Sequence, residues 1–122
     1  MPTEPSPPTL AEVVNRAVDV VDPDGANDGV AELQRRLEDR DEPVTAILGA
    51  LDEILAEAKG AVDPQDEDPD VVMTVAVATY LAHRRDEVDD ASDDILRPAA
   101  RAEFDGHPPP AVADWLAAAG IE

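Results

Sequence analysis

At 122 residues the chain is the size of one domain with a modest core, and 29 acidic against 9 basic residues give it a formal net charge of −20. That balance argues against a basic patch for nucleic-acid phosphates, and zero cysteines exclude a disulfide framework, a thiolate metal site and a cysteine nucleophile. Apolar residues make up 43% and recur with helical period, so the chain is expected to fold rather than remain a charged tail.

Residues 1–8, four of them proline, read as an extended N-terminal arm. A first helix opens at Thr9, whose capping box closes with Glu12, and carries Leu10, Val13, Val14, Ala17 and Val18 on one face. It is expected to stop before Asp22-Pro23. A short second helix follows, with Val30, Leu33 and Leu37 inward. Pro43 suits the first position of a third helix, whose stripe of Val44, Ile47, Leu48, Leu51, Ile54, Leu55 and Ala58 is the widest in the chain, with Gly60 as its stop.

Asp68-Pro69 begins a fourth helix that is apolar nearly all round from Val71 to Ala82, a pattern of burial on more than one side. The stretch DDILRPAARAEF reads as a further helix, with Pro98 kinking it or marking its start and Asp105-Gly106 ending it. His107-Pro-Pro-Pro110 should run extended, leading into a last segment with Trp115, Leu116 and Ile121. No alternating strand pattern stands out. The expected fold is all-α, a small bundle of four to five helices over 9–105, with the arm over 1–8 and a proline-rich spacer and docking segment over 106–122.

The apolar run from Val71 to Ala82 is far short of the roughly 20 residues that cross a bilayer. The opening MPTEPSPPT has no hydrophobic stretch of signal-peptide type. A soluble protein made in a cytoplasm, without membrane contact, is therefore expected. Lys59 is the only lysine, and alanine and valine abound. This composition resembles the proteins of extreme halophiles, haloarchaea and their viruses, in which concentrated salt screens self-repulsion and carboxylates hold water.

The stretch DPDGANDGVAEL, Asp22 to Leu33, has the look of a calcium loop. An EF-hand places oxygen ligands at positions 1, 3 and 5, glycine at 6 and a bidentate glutamate at 12. Counting from Asp22 puts Ala26 at 5 and Leu33 at 12; counting from Asp24 puts Ala26 at 3 and Arg35 at 12. Neither register closes the loop, so an acidic turn that ends one helix and caps the next with Asn27 or Asp28 is the stronger reading. A calcium-responsive binding protein stays as a minor alternative. His83 and His107 are far apart, Ser92 has no framed base, and no glycine-rich phosphate loop occurs. No enzyme, metal site or cofactor is expected.

Interaction surface is what the pattern offers. The third and fourth helices carry more apolar face than a bundle of this size needs. Trp115, with Leu116 and Ile121 beyond Pro108, Pro109 and Pro110, is suited to partner docking. The competing arrangement folds that segment back onto the core.

Two stretches point further. PDVVMTVAVATYLAHRR, Pro69 to Arg85, resembles the helix of tailed-virus head–tail connector (adaptor) proteins, a proline-led, alanine-rich apolar helix ending in an arginine-containing stretch. ASDDILRPAAR, Ala91 to Arg101, is similar to that family's later element, in which a leucine-proline pair and an arginine follow a polar loop. VTAILGALDEILAEAKGAV and LAEVVNRAV sit where the family has its preceding and first helices, so the likeness spans roughly residues 9 to 101. It implies an all-α virion protein of a haloarchaeal virus, located in the neck at the head–tail interface. It implies a homo-oligomeric ring, dodecameric in that family, with the portal protein and a tail or tail-completion protein as partners, around DNA that is not read by sequence. Arg84, Arg85, Arg97 and Arg101 would bridge subunits; the alternative is local pairing with Asp86, Glu87, Asp89 and Asp93. The alternative function is a small haloarchaeal interaction module, regulator-like, acting through the Trp115 segment.

Overall fold

The computed structural model describes residues 8–65, 67–84, 90–105 and 107–121. Arg85, the arm's residues 1–7, and Asp86, Glu87 and Asp89 lie outside them. Among the described residues the chain is all-α: six α-helices and two 3-10 turns, without a strand. The helices are α1 (Leu10–Val21), α2 (Asp28–Leu37), α3 (Leu51–Val62), α4 (Pro69–His83), α5 (Ser92–Phe104) and α6 (Pro110–Ala118). That is one more than the upper expectation, because the C-terminal segment is itself a helix.

The capping box forms as a variant. The Thr9 hydroxyl oxygen accepts the Glu12 N–H at 3.2 Å and donates to Glu12 Oε1 at 3.3 Å. α1 then buries all five expected residues together with Ala11, Val20 and Val21. Asp22 ends it, its N–H bonded to the Val18 carbonyl at 2.7 Å.

The third helix starts later than its periodicity suggests. Two orphan donors at the start of α1 are taken by this region: Leu10 N–H reaches the Glu42 carbonyl and Ala11 N–H the Arg40 carbonyl, each at 3.0 Å. Val44 N–H in turn donates to the Pro8 carbonyl at 2.9 Å. These ties hold Pro43 extended, with ψ 133, so helix cannot begin there. The chain passes instead through 3-10 turns at Val44–Ala46 and Leu48–Ala50. The other end overruns the expected stop. α3 passes through Gly60 to Val62, because Asp63 terminates it by taking the Glu67 and Asp68 N–H groups on its carboxylate, each at 3.0 Å. A Cβ on Gly60 would meet nothing within 4 Å. Gly60→Ala is therefore expected to raise stability by about 0.5–1 kcal/mol, read as a higher urea midpoint at unchanged slope.

α4 lies at the centre, packed against α1, α2, α3, α5 and α6. Asp68 caps it by accepting the Asp70 N–H, and Pro69 fills its first position. Its surroundings explain its all-round apolarity: Val71, Met73, Ala76, Val77, Ala78, Leu81 and Ala82 are buried on different sides. Pro98 neither opens nor closes α5 but sits inside it, while Ile95, Leu96, Ala99 and Ala100 face inward. Asp105, in the left-handed region at φ 51, ends α5. The extended reading of the prolines fails at one position: Pro110 is the first residue of α6, where its missing N–H costs no helix bond. α6 closes on Gly120 at φ 81, with Ile121 N–H on the Leu116 carbonyl and Gly120 N–H on the Ala117 carbonyl, a Schellman motif.

Candidate interaction site

Val112, Leu116 and Ile121 belong to the same buried cluster as α1 to α5. The Trp115 segment thus folds back, and a partner using Leu116 or Ile121 would have to displace it. Trp115 itself is half-buried against the core. Pro108 is half-buried, and Pro109 and Pro110 are exposed.

Trp115 leads to an acidic junction that joins four parts of the chain. Asp22, at the end of α1, accepts the N–H groups of Ala26 at 3.1 Å and Asn27 at 3.0 Å. Asn27 caps α2 by accepting the Val30 N–H at 3.0 Å. Its amide nitrogen crosses to the start of α4, donating to Asp70 Oδ2 at 2.9 Å and to the two oxygens of Asp68 at 3.3 and 3.2 Å. Trp115 of α6 stands beside the same Asp70 carboxylate and favours its charged form. Burial pushes the Asp70 carboxyl above its ordinary range; the hydrogen bond from Asn27 opposes this, the charges of Asp68 and Asp22 add to it, and Trp115 opposes it again. What resembled a calcium loop in the sequence is thus a turn whose side-chain oxygens accept backbone N–H groups.

Gly29 marks how closely α2 approaches α4 here. An added Cβ would stand 3.1 Å from each of Asn27 Oδ1, Asp68 Oδ2 and Val71 Cγ2. Both polar neighbours are tied into the junction and cannot retreat without lengthening a bond. Gly29→Ala is therefore expected to destabilise by about 1 kcal/mol despite alanine's better helix propensity, with thermal denaturation in molar salt as the check.

On another side, the flank of α4 that faces neither α1 nor α2 stays open between α3 and α5, with the start of α6 walling its Val72 end. Three adjoining clefts of about 190, 270 and 180 Å³ run along it, and Glu103 of α5 lines all three. Val72, Val75 and Tyr80 are only half-buried there. Ile47 and Leu48, in an uncharged run from Val44 to Leu51, are half-buried too. Arg84 lines the end of the groove beside His83 and Tyr80. Arg97 and Arg101 are exposed on α5 one turn apart. Among the described residues none of these three arginines lies within ion-pair distance of a carboxylate, in contrast to Arg35 and Arg36 with Glu32 and Arg40 with Glu42.

The junction was beyond reach of the sequence pattern: Asp68 and Asp70 are two of 29 acids, and only the fold brings Asn27 to them. No family model, curated protein or solved structure matches the chain.

Proposed function

We propose that the chain is a head–tail adaptor, a structural virion protein that assembles with copies of itself into a ring between portal and tail around the DNA channel. The observation that supports this best is the open flank of α4, whose half-buried Val72, Val75 and Tyr80 line a groove that the protein's own helices leave uncovered. Arg84, Arg97 and Arg101, at the end of that groove and on α5, are placed for carboxylates of a neighbouring copy. The order of elements fits the likeness that Pro69 to Arg85 and Ala91 to Arg101 suggest, since each stretch falls largely within one helix. A strongly negative surface suits a channel through which DNA slides without sticking. The reading in which the Trp115 segment docks into a foreign partner is weaker, because Leu116 and Ile121 are already buried at home.

Mass photometry in molar salt, with and without a portal protein of the same virus, tests the proposal. Rings, or copies bound to the portal, are expected. A chain that stays monomeric in both samples would falsify it.

A further inference from the structure

α6 is the least embedded of the helices. It packs chiefly on α4 and is anchored by Val112, Leu116 and Ile121, with Trp115 on Asp70. The largest fully buried side chains, among them Leu10, Leu33, Leu51, Leu81 and Ile95, all come from the rest of the chain. Detaching α6 would therefore leave a core that the other five helices build among themselves.

The connector to α6 is suited to opening. Asp105 holds a left-handed conformation, φ 51 and ψ 36, which disfavours a residue with a side chain. Beyond it Pro108 and Pro109 restrict the backbone ahead of α6, Pro109 being extended at ψ 154, and Pro110 opens the helix itself. The return is held locally by the His107 N–H on the Phe104 carbonyl at 2.8 Å and by His107 Nδ1 against the Asp105 carbonyl at 2.9 Å. An open connector releases the left-handed residue and gives up only this short turn.

We propose that α6 is exchanged between copies. Each copy's α6 leaves its own α4 and seats on the α4 of the next, with Trp115 against that neighbour's Asp70 and with Leu116 and Ile121 in its core. The occupant is a second copy of this chain because the receiving surface already fits this helix residue for residue. The exchanged contact regains every bond and buried group of the closed form, so little is lost beyond the freedom of the separate copies. Charge favours the same arrangement. Two chains of −20 repel wherever carboxylates face one another, whereas the seat of α6 already exists and adds no new acidic contact there. Passing α6 from each copy to the next is a head-to-tail contact, which yields a ring when the rotation closes. The exchange rests on the ring reading given above and names a contact that would hold such a ring.

The test uses the absence of native cysteine. Val72 on α4 and Ala111 on α6 line the same cleft, the first half-buried and the second exposed, so either tolerates cysteine. Val72→Cys chains and Ala111→Cys chains, distinguished by mass and each checked for helical circular dichroism, are mixed in molar salt, assembled and oxidised. Neither variant can close a disulfide within itself. Exchange predicts that a disulfide joining the two different chains is the main product. Assembled samples in which that product is missing, while the Val72→Cys/Ala111→Cys double variant closes its disulfide within single chains, overturn the exchange and leave the ring standing. A mixture that never assembles, with or without portal, overturns the ring reading itself.

Discussion

Replacing Asn27 by alanine is expected to cost about 3 kcal/mol of stability, a large loss for one half-buried capping residue. The side chain does two separate things. Its oxygen caps α2 at the Val30 N–H, a role whose removal alone costs about 1 kcal/mol. Its amide bridges Asp68 and Asp70 at the head of α4, and hydrogen bonds to charged groups contribute about 1.5–3 kcal/mol. Without that amide, no side-chain donor links Asp68 to Asp70, and the backbone N–H groups on Asp22 and Asp68 must hold the facing carboxylates alone. Asn27→Asp separates the two roles. It keeps a capping oxygen but replaces the amide donor with a further negative charge, so it should be at least as damaging as alanine in dilute buffer and recover in molar salt. Urea denaturation at both ionic strengths decides. A loss near 1 kcal/mol for alanine, with aspartate harmless, would mean that the bridge contributes nothing.

That residue also shows what the sequence could and could not disclose. Local rules worked wherever the deciding partner was a few positions away: Thr9 with Glu12, Asp68 before Pro69, Asn27 before Val30. The apolar periods of α1 and α2 placed the core because burial follows one face of each, and the all-round apolarity of α4 marked the helix that is buried on several sides. Where distant backbone intervened, local rules failed. The stripe from Val44 to Leu51 has helical spacing, yet the Glu42 and Arg40 carbonyls are spent on the first donors of α1, and the segment folds as 3-10 turns. Gly60 is a miss of a nearer kind: it has the identity of a helix stop, but the stop is Asp63, whose carboxylate gathers two N–H groups four and five positions on. For Trp115 the sequence leaned toward partner docking because of the proline spacer, whereas the structure seats Leu116 and Ile121 in the chain's own core. A hydrophobic helix beyond prolines serves a partner's groove or its own. The open flank of α4 was legible only as excess apolar surface. Which side stays uncovered depends on how the other helices distribute around it.

The widest effect expected is that of salt. Raising KCl from about 0.1 M to about 2 M should raise the melting temperature by on the order of 10 °C, because the screening length falls from about 10 Å toward 3 Å or less while apolar burial persists. A formal charge of −20 spread over 122 residues leaves carboxylates within the longer distance of one another almost everywhere, and the junction concentrates the effect. Asp70 offers a local reading of the same physics. Its folded carboxyl is raised by burial and by Asp68 and Asp22, so its favourable contribution is complete below the ordinary carboxylate range and is lost as pH rises through the raised value. At neutral pH the charge on Asp70 is therefore a local liability. Asp70→Asn should be more stable than the parent chain at pH 7 by a fraction of a kcal/mol, given the partial solvent exposure of the site. The replacement amide oxygen can still accept from Asn27. The difference should vanish near pH 3, where both side chains are neutral, and shrink in molar KCl at pH 7, where Asp68 and Asp22 are screened. Melting curves of the two chains over pH and salt, with Trp115 fluorescence as the probe, separate the contributions. If the melting temperature does not rise with salt, self-repulsion is not what limits this fold; if Asp70→Asn loses stability at pH 7, the carboxylate is needed as a charged partner of Asn27 and Trp115 rather than tolerated there.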